Sequence, residues 1–139
     1  NLIYALFALP AGILADKAGL KTIFIIGLGL FAVVYIGMAF NKNLYIYFGL
    51  FFLYGMYAAA TEGISKAWIS NITAQKDTAT AIGTYSGLQS ICTMLASSLT
   101  GILWYQFGAA TAFISTATVT VLVIVYFMTM VKTGTKIAA

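Results

Sequence analysis

Few residues in this chain are equipped for chemistry. Its 139 residues include seven lysines, three acids, one cysteine and no histidine. The acids, Asp16, Glu62 and Asp77, lie far apart in sequence and have no histidine to work with. No triad, carboxylate dyad or metal cluster can be assembled from that set, so no enzymatic activity and no cofactor are expected. A single Cys92 in an apolar stretch excludes an intrachain disulfide and any Cys/His metal site; it is read as a small packing residue. No Gly-x-x-x-x-Gly-Lys phosphate loop is present. What remains are charges with suggestive spacing. Glu62 and Lys66 stand four apart in apolar surroundings, the favourable order for an ion pair on one helix face. Ionisable residues inside apolar spans are costly and default to a functional reading. The lysine favours a charged carboxylate, which supports a structural or gating role over proton coupling, with substrate contact third.

The elements that hold these charges follow from composition. Hydrophobic residues make up 62% of the chain and charged residues 7%, against roughly 25% charged in a soluble domain. So few charges cannot cover a water-facing surface, and lipid is the expected solvent. Crossing a bilayer takes about 20 mainly apolar residues per helix. Five segments approach that length: 2–15, 23–40, 44–69, 79–104 and 109–131. The first is short and has the look of the trailing end of a span. Because the runs are continuous rather than alternating, helices are predicted in place of barrel strands. Short polar breaks at 16–22, 41–43, 71–78 and 105–108 leave no room for a linker or second domain.

Alternate breaks fall on opposite sides. One side holds Lys17, Lys21, Lys66, Lys76, Lys132 and Lys136, and the other holds Lys42 alone. That asymmetry predicts a multi-pass protein of the cell membrane with a cytoplasmic C-terminus. Basic residues do not interleave with aromatics in a polar setting, so nucleic-acid binding is not expected. The chain opens at Asn1 in apolar sequence without a basic leader, which is expected of a fragment.

The first break reads Gly12-Ile-Leu-Ala-Asp16-Lys17-Ala-Gly19-Leu-Lys21. Gly12 permits close helix approach and Gly19 a tight turn, while Asp16 can accept from the N-terminus of a neighbouring helix. The stretch resembles the cytoplasmic loop motif of the major facilitator superfamily, Gly-x-x-x-Asp-(Arg/Lys)-x-Gly-x-(Arg/Lys). Four spans follow it, so the resemblance implies the second copy of that motif and places the five spans as helices eight to twelve of a twelve-helix fold. The sequence Thr61-Glu62-Gly63-Ile-Ser-Lys66-Ala, followed by Thr80-Ala-Ile-Gly83-Thr-Tyr85, is similar to the tenth-to-eleventh helix region of bacterial members. Leu20 and Thr78 depart from the pattern at positions that are often basic.

The resemblance implies an all-α integral membrane protein that moves a small-molecule substrate by alternating access, driven by an ion gradient. The partners would be the lipid bilayer and the N-terminal half of the same transporter. Gly12, Asp16, Lys17, Gly19 and Lys21 would act as a latch between the halves in the outward-facing state. The alternative is a small non-transporting scaffold that uses its glycine ridges.

Helical periodicity sorts the remaining polar residues. Gly55, Ala59 and Gly63 form a small-residue ridge, with Tyr54, Tyr57, Thr61 and Ser65 on an adjacent face. In the fourth segment Ser86, Ser90, Thr93, Ser97 and Thr100 form a stripe with Gln89 alongside, next to Gly83 and Gly87. Such a stripe lines a water-filled cavity or bonds to another helix; packing is the commoner use. The cavity candidates are Tyr54, Tyr57, Thr61, Ser86, Gln89, Ser90 and Thr93. By resemblance the tenth helix lines the cavity, the eleventh flanks it, and the ninth and twelfth are peripheral. The second segment suits the periphery, with Tyr35 its one polar side chain, whereas the hydroxyls at Thr111, Ser115, Thr116, Thr118 and Thr120 do not. Pro10 is expected to kink the first segment, and Tyr45, Trp68, Trp104 and Tyr105 to sit at the membrane interface. Asn71-Ile-Thr73 matches the glycosylation pattern but falls on the predicted cytoplasmic side.

Overall fold

A computed structural model describes residues 2–131; Lys132 and Lys136 lie outside the described residues. The apolar runs become five helices: α1 (Leu2–Ala18), α2 (Leu20–Phe40), α3 (Leu44–Ile72), α4 (Thr78–Phe107) and α5 (Ala109–Thr129). By length and composition α2, α3 and α5 are able to cross a membrane. With 17 residues α1 is short, and the 30 residues of α4 are long enough but carry the polar stripe.

The breaks are narrower than polarity suggested, because a helix satisfies its backbone whatever its side chains. The 16–22 break shrinks to Gly19: Asp16 and Lys17 finish α1, and Leu20 and Lys21 open α2. Gly19 turns at φ 91° and ψ 141°, with its N–H bonded to the Ala15 carbonyl at 2.9 Å. The 105–108 break likewise shrinks to Gly108, at φ 87° and ψ 167°. Both glycines occupy a backbone region essentially closed to other residues. At the 41–43 turn Asn43 caps α3, its side-chain oxygen accepting from the Tyr45 N–H at 2.9 Å. The last helix stops at Thr129, short of residue 131, and α1 runs unbroken through Pro10.

Packing centres on α2, which lies against α3 and α5, while α1 packs on α3. Small residues set the approach. A methyl group on Gly27 would lie 2.8 Å from Thr61 Cγ2 and 3.0 Å from Ala60 Cβ, and one on Gly55 would lie 2.6 Å from Ile3 Cβ. Ala15, Ile23, Ala60 and Ile64 form a buried cluster flanked by Leu20 and Phe24. At the same end, Trp68 packs on Phe24 (6.3 Å) and Phe127 (6.2 Å). Trp68 is therefore a junction of α2, α3 and α5. Tyr45 and Tyr105, 83% and 91% exposed, do stand free at helix ends.

Candidate functional site

Helix dipoles give the charges of the 12–21 stretch a physical meaning. The C-terminal end of a helix is negative and its N-terminal end positive. Asp16 stands exposed in the last turn of α1, the end that disfavours an anion. Lys21 stands in the first turn of α2, the end that disfavours a cation. Asp77, in contrast, occupies the N-cap of α4, where an acid belongs. Two of the stretch's charges are thus unfavourable to their own helices, and a use for them must lie elsewhere. For Lys21 the use is visible: its ammonium donates to the Val131 carbonyl beyond α5. Lys17 is exposed to solvent.

Gly12 and Asp16 share a cleft of about 240 Å³ between α1 and α3. Its walls are small side chains, Ala8 and Ala15 from α1 and Ala59, Gly63 and Ala67 from α3. The predicted ridge on α3 is thereby used inside the bundle, with Gly55 against Ile3 and Gly63 on the cleft. Glu62 and Lys66 are both exposed on α3, on either side of Gly63 in sequence. Lys17, Lys21, Lys66 and Lys76 collect toward one end of the bundle, the end marked by the Lys21–Val131 bond, and Lys42 lies at the other.

None of the seven cavity candidates lines the cleft beside Asp16. Thr61 is buried in the α2–α3 seam against Gly27, and its hydroxyl bonds the Tyr57 carbonyl at 2.9 Å, so it faces no open space. Tyr57 stacks on Phe31 (4.5 Å) and Tyr54 (5.4 Å). The ring chain continues from Phe31 to Tyr35 (4.1 Å), on to Phe113 (5.6 Å) and to Trp104 (5.5 Å), crossing four helices. Sequence reasoning did not find this chain of rings. The spacing of Phe31 and Tyr35, one helical turn apart, was the available signal.

The α4 candidates have a different setting. Not one residue of α4 is buried, and Gln89, Ser90 and Thr93 are exposed, with Ser86 partly so. Cβ atoms added at Gly83, Gly87 and Gly101 would meet nothing within 4 Å. Thr84, Ser90 and Ser98 bond the carbonyl one turn back, but Ser86, Gln89 and Thr93 are not among these self-bonded side chains. The puzzling hydroxyls of α5 are all self-satisfied: Thr111, Ser115, Thr116, Thr118 and Thr120 each donate to the carbonyl four residues earlier at 2.8–3.0 Å. That local bonding lets them sit in an apolar environment without a partner helix.

Three comparisons bear on this arrangement. The sequence profile of the Major Facilitator Superfamily matches residues 1–137. An uncharacterized MFS-type transporter of Methanocaldococcus jannaschii is 34% identical over 125 residues, covering 83% of this chain. The chain spans 31% of that relative's length. No solved structure matches. A profile match across nearly the whole chain agrees with the membrane-length helices and the loop stretch at 12–21, and on these grounds the chain belongs to the major facilitator superfamily, a family of multi-pass membrane transport proteins.

Proposed function

We propose that this chain is the C-terminal part, helices eight to twelve, of a secondary active transporter in the cell membrane. Its N-terminal half closes the translocation path and an ion gradient drives a small solute across by alternating access. The observation that carries the reading is the unburied face of α4. Ser86, Gln89 and Thr93 on that face require water or a polar partner, because unpaired polar groups are costly in lipid. A central cavity shared with a second half supplies both. In this reading the lysine-rich end and the C-terminus are cytoplasmic, following the positive-inside bias.

Asp16 is the latch residue of the proposal. Its unfavourable position at the α1 C-terminus favours a cationic or helix-N-terminal partner outside α1, which the second half would provide in one state of the cycle. Lys17 is the solvent-side anchor, Gly12 keeps the cleft beside Asp16 open, and Gly19 sets the turn. Glu62 and Lys66 are assigned a gating role on the exposed face of α3. The substrate-facing surface offered here is neutral: hydroxyls and an amide from α4, with the edge of Tyr54 from α3. The Gly55 end of the α3 ridge is already occupied by Ile3, which leaves the open glycines of α4 as the surface for a partner in either reading.

The test is uptake of a radiolabelled panel of neutral sugars and amphipathic amines into liposomes holding the full-length protein, under an imposed ion gradient. Wild type should concentrate at least one member of the panel. Asp16→Asn should slow it about ten-fold, within the range of an ordinary coupling free energy. Flux that Asp16→Asn leaves untouched sinks the latch, and no flux above empty liposomes with any solute returns the scaffold.

A further inference from the structure

The geometry points to Lys21 as a clamp on the C-terminal end of α5, a role separate from any latch between halves and independent of the transport reading. Lysine in the first turn of α2 is placed against the positive end of its own helix, so its charge gains nothing locally. The same charge meets the negative end of α5, where its ammonium donates to the Val131 carbonyl. Carbonyls past the last helical turn have no partner of their own, and a cation there both bonds them and complements the dipole.

A second observation places the contact in a larger joint. Phe24, one turn after Lys21, stacks on Phe127 of α5 at 5.2 Å, and Trp68 of α3 packs on both rings. Lys21 closes this aromatic junction on its polar side. The last turn that it holds is marked by the Met130 N–H bonded to the Tyr126 carbonyl at 2.8 Å and the Thr129 hydroxyl bonded to the Val125 carbonyl at 2.9 Å. Lys21, Phe24, Trp68 and Phe127 thus join the neighbouring ends of α2, α3 and α5. Within the 12–21 stretch the two lysines divide their work: Lys21 belongs to this joint, and Lys17, exposed, does not.

Hydrogen–deuterium exchange on the full-length protein in lipid nanodiscs tests the assignment, read at the amides of Thr129 and Met130. Lys21→Met should speed exchange there about five-fold, the size expected for a cation lost from a helix C-terminus. Lys21→Arg should restore wild-type protection, and Lys17→Met should leave it unchanged. Unaltered exchange in Lys21→Met, or an equal rise in Lys17→Met, overturns the clamp. Should Lys21→Met fail to fold, acetylation of the wild-type lysines decides. A Lys21 amine engaged with the carbonyl should react several-fold more slowly than Lys17, and equal rates overturn the proposal.

Discussion

α2 and α4 answer the same apolar surroundings in opposite ways. α2 touches α1, α3 and α5 and buries Ile23, Gly27, Ala32 and Val34. α4 runs nine residues longer, 30 against 21, yet leans on α5 and on α3 without burying one side chain. Both are rich in glycine. The difference lies in what surrounds the glycines: two of the three in α2, Gly27 and Gly37, are met by Thr61 and Leu50, with Gly29 open, whereas Gly83, Gly87 and Gly101 of α4 all face open space. Small residues bring helices together only where a complementary surface exists, and in lipid that packing must do what water would do in a soluble protein. In the proposed reading, the uncovered hydroxyl stripe and small residues of α4 are the surface that meets the second half.

The largest effect should come from filling the two kinds of glycine. Gly27→Leu drives a branched side chain into Thr61 and the Ala60 backbone, and should cost about 3 kcal/mol in denaturant unfolding of the full-length protein in detergent. Gly87→Leu has room and should change stability by less than about 0.5 kcal/mol, while lowering solute uptake if a helix of the second half must pack there. Equal destabilisation by both would end the contrast between the helices.

That contrast was half legible in sequence. The bare composition of residues 23–40, with Tyr35 as the one polar side chain, marked this part of α2 as a helix with no cavity to face, yet hydropathy did not show that α2 is the hub of the bundle. Hydrophobic content gives the solvent but not the neighbour, and the neighbours are chosen by where glycine meets bulk, as at Gly27 and Thr61. Polarity also misplaced the helix ends. Asp16, Lys17 and Lys21 looked like loop because they are charged, but the backbone leaves the helix only at Gly19, where φ is positive. The candidate site was legible as a list of residue types and illegible as a place. Thr61 and Ser90 share a pattern in sequence, yet one is buried in a seam and the other stands exposed. The clamp at Lys21 had no sequence signal, because its partner is a backbone carbonyl 110 residues away.

The two glycine hinges sharpen the comparison at intermediate size. Gly19 joins α1 to the hub and Gly108 joins α4 to α5, with nearly the same positive φ. Alanine at either should cost about 1–3 kcal/mol of backbone strain, measured as the loss in unfolding free energy. Their effects on uptake should differ. Gly19→Ala disturbs the turn that carries Asp16 and should slow uptake beyond its stability cost, whereas Gly108→Ala should act through stability alone. Matching uptake losses would mean that the α1–α2 turn is an ordinary connection.

The smallest effect is the most discriminating. Thr118 of α5 and Thr93 of α4 are both exposed threonines. Thr118 donates to the Ile114 carbonyl at 2.8 Å, so its hydroxyl is already spent on its own helix. Thr118→Val should alter neither stability, by more than about 0.5 kcal/mol, nor uptake. Thr93→Val should be equally silent in unfolding, because no side chain packs over it. It should nonetheless reduce uptake, since its hydroxyl is free to meet water, solute or the second half across the open face of α4. If Thr93→Val transports like wild type while the Gly87→Leu variant does not, the face of α4 is a packing surface rather than a cavity wall, and the solute path lies along α3.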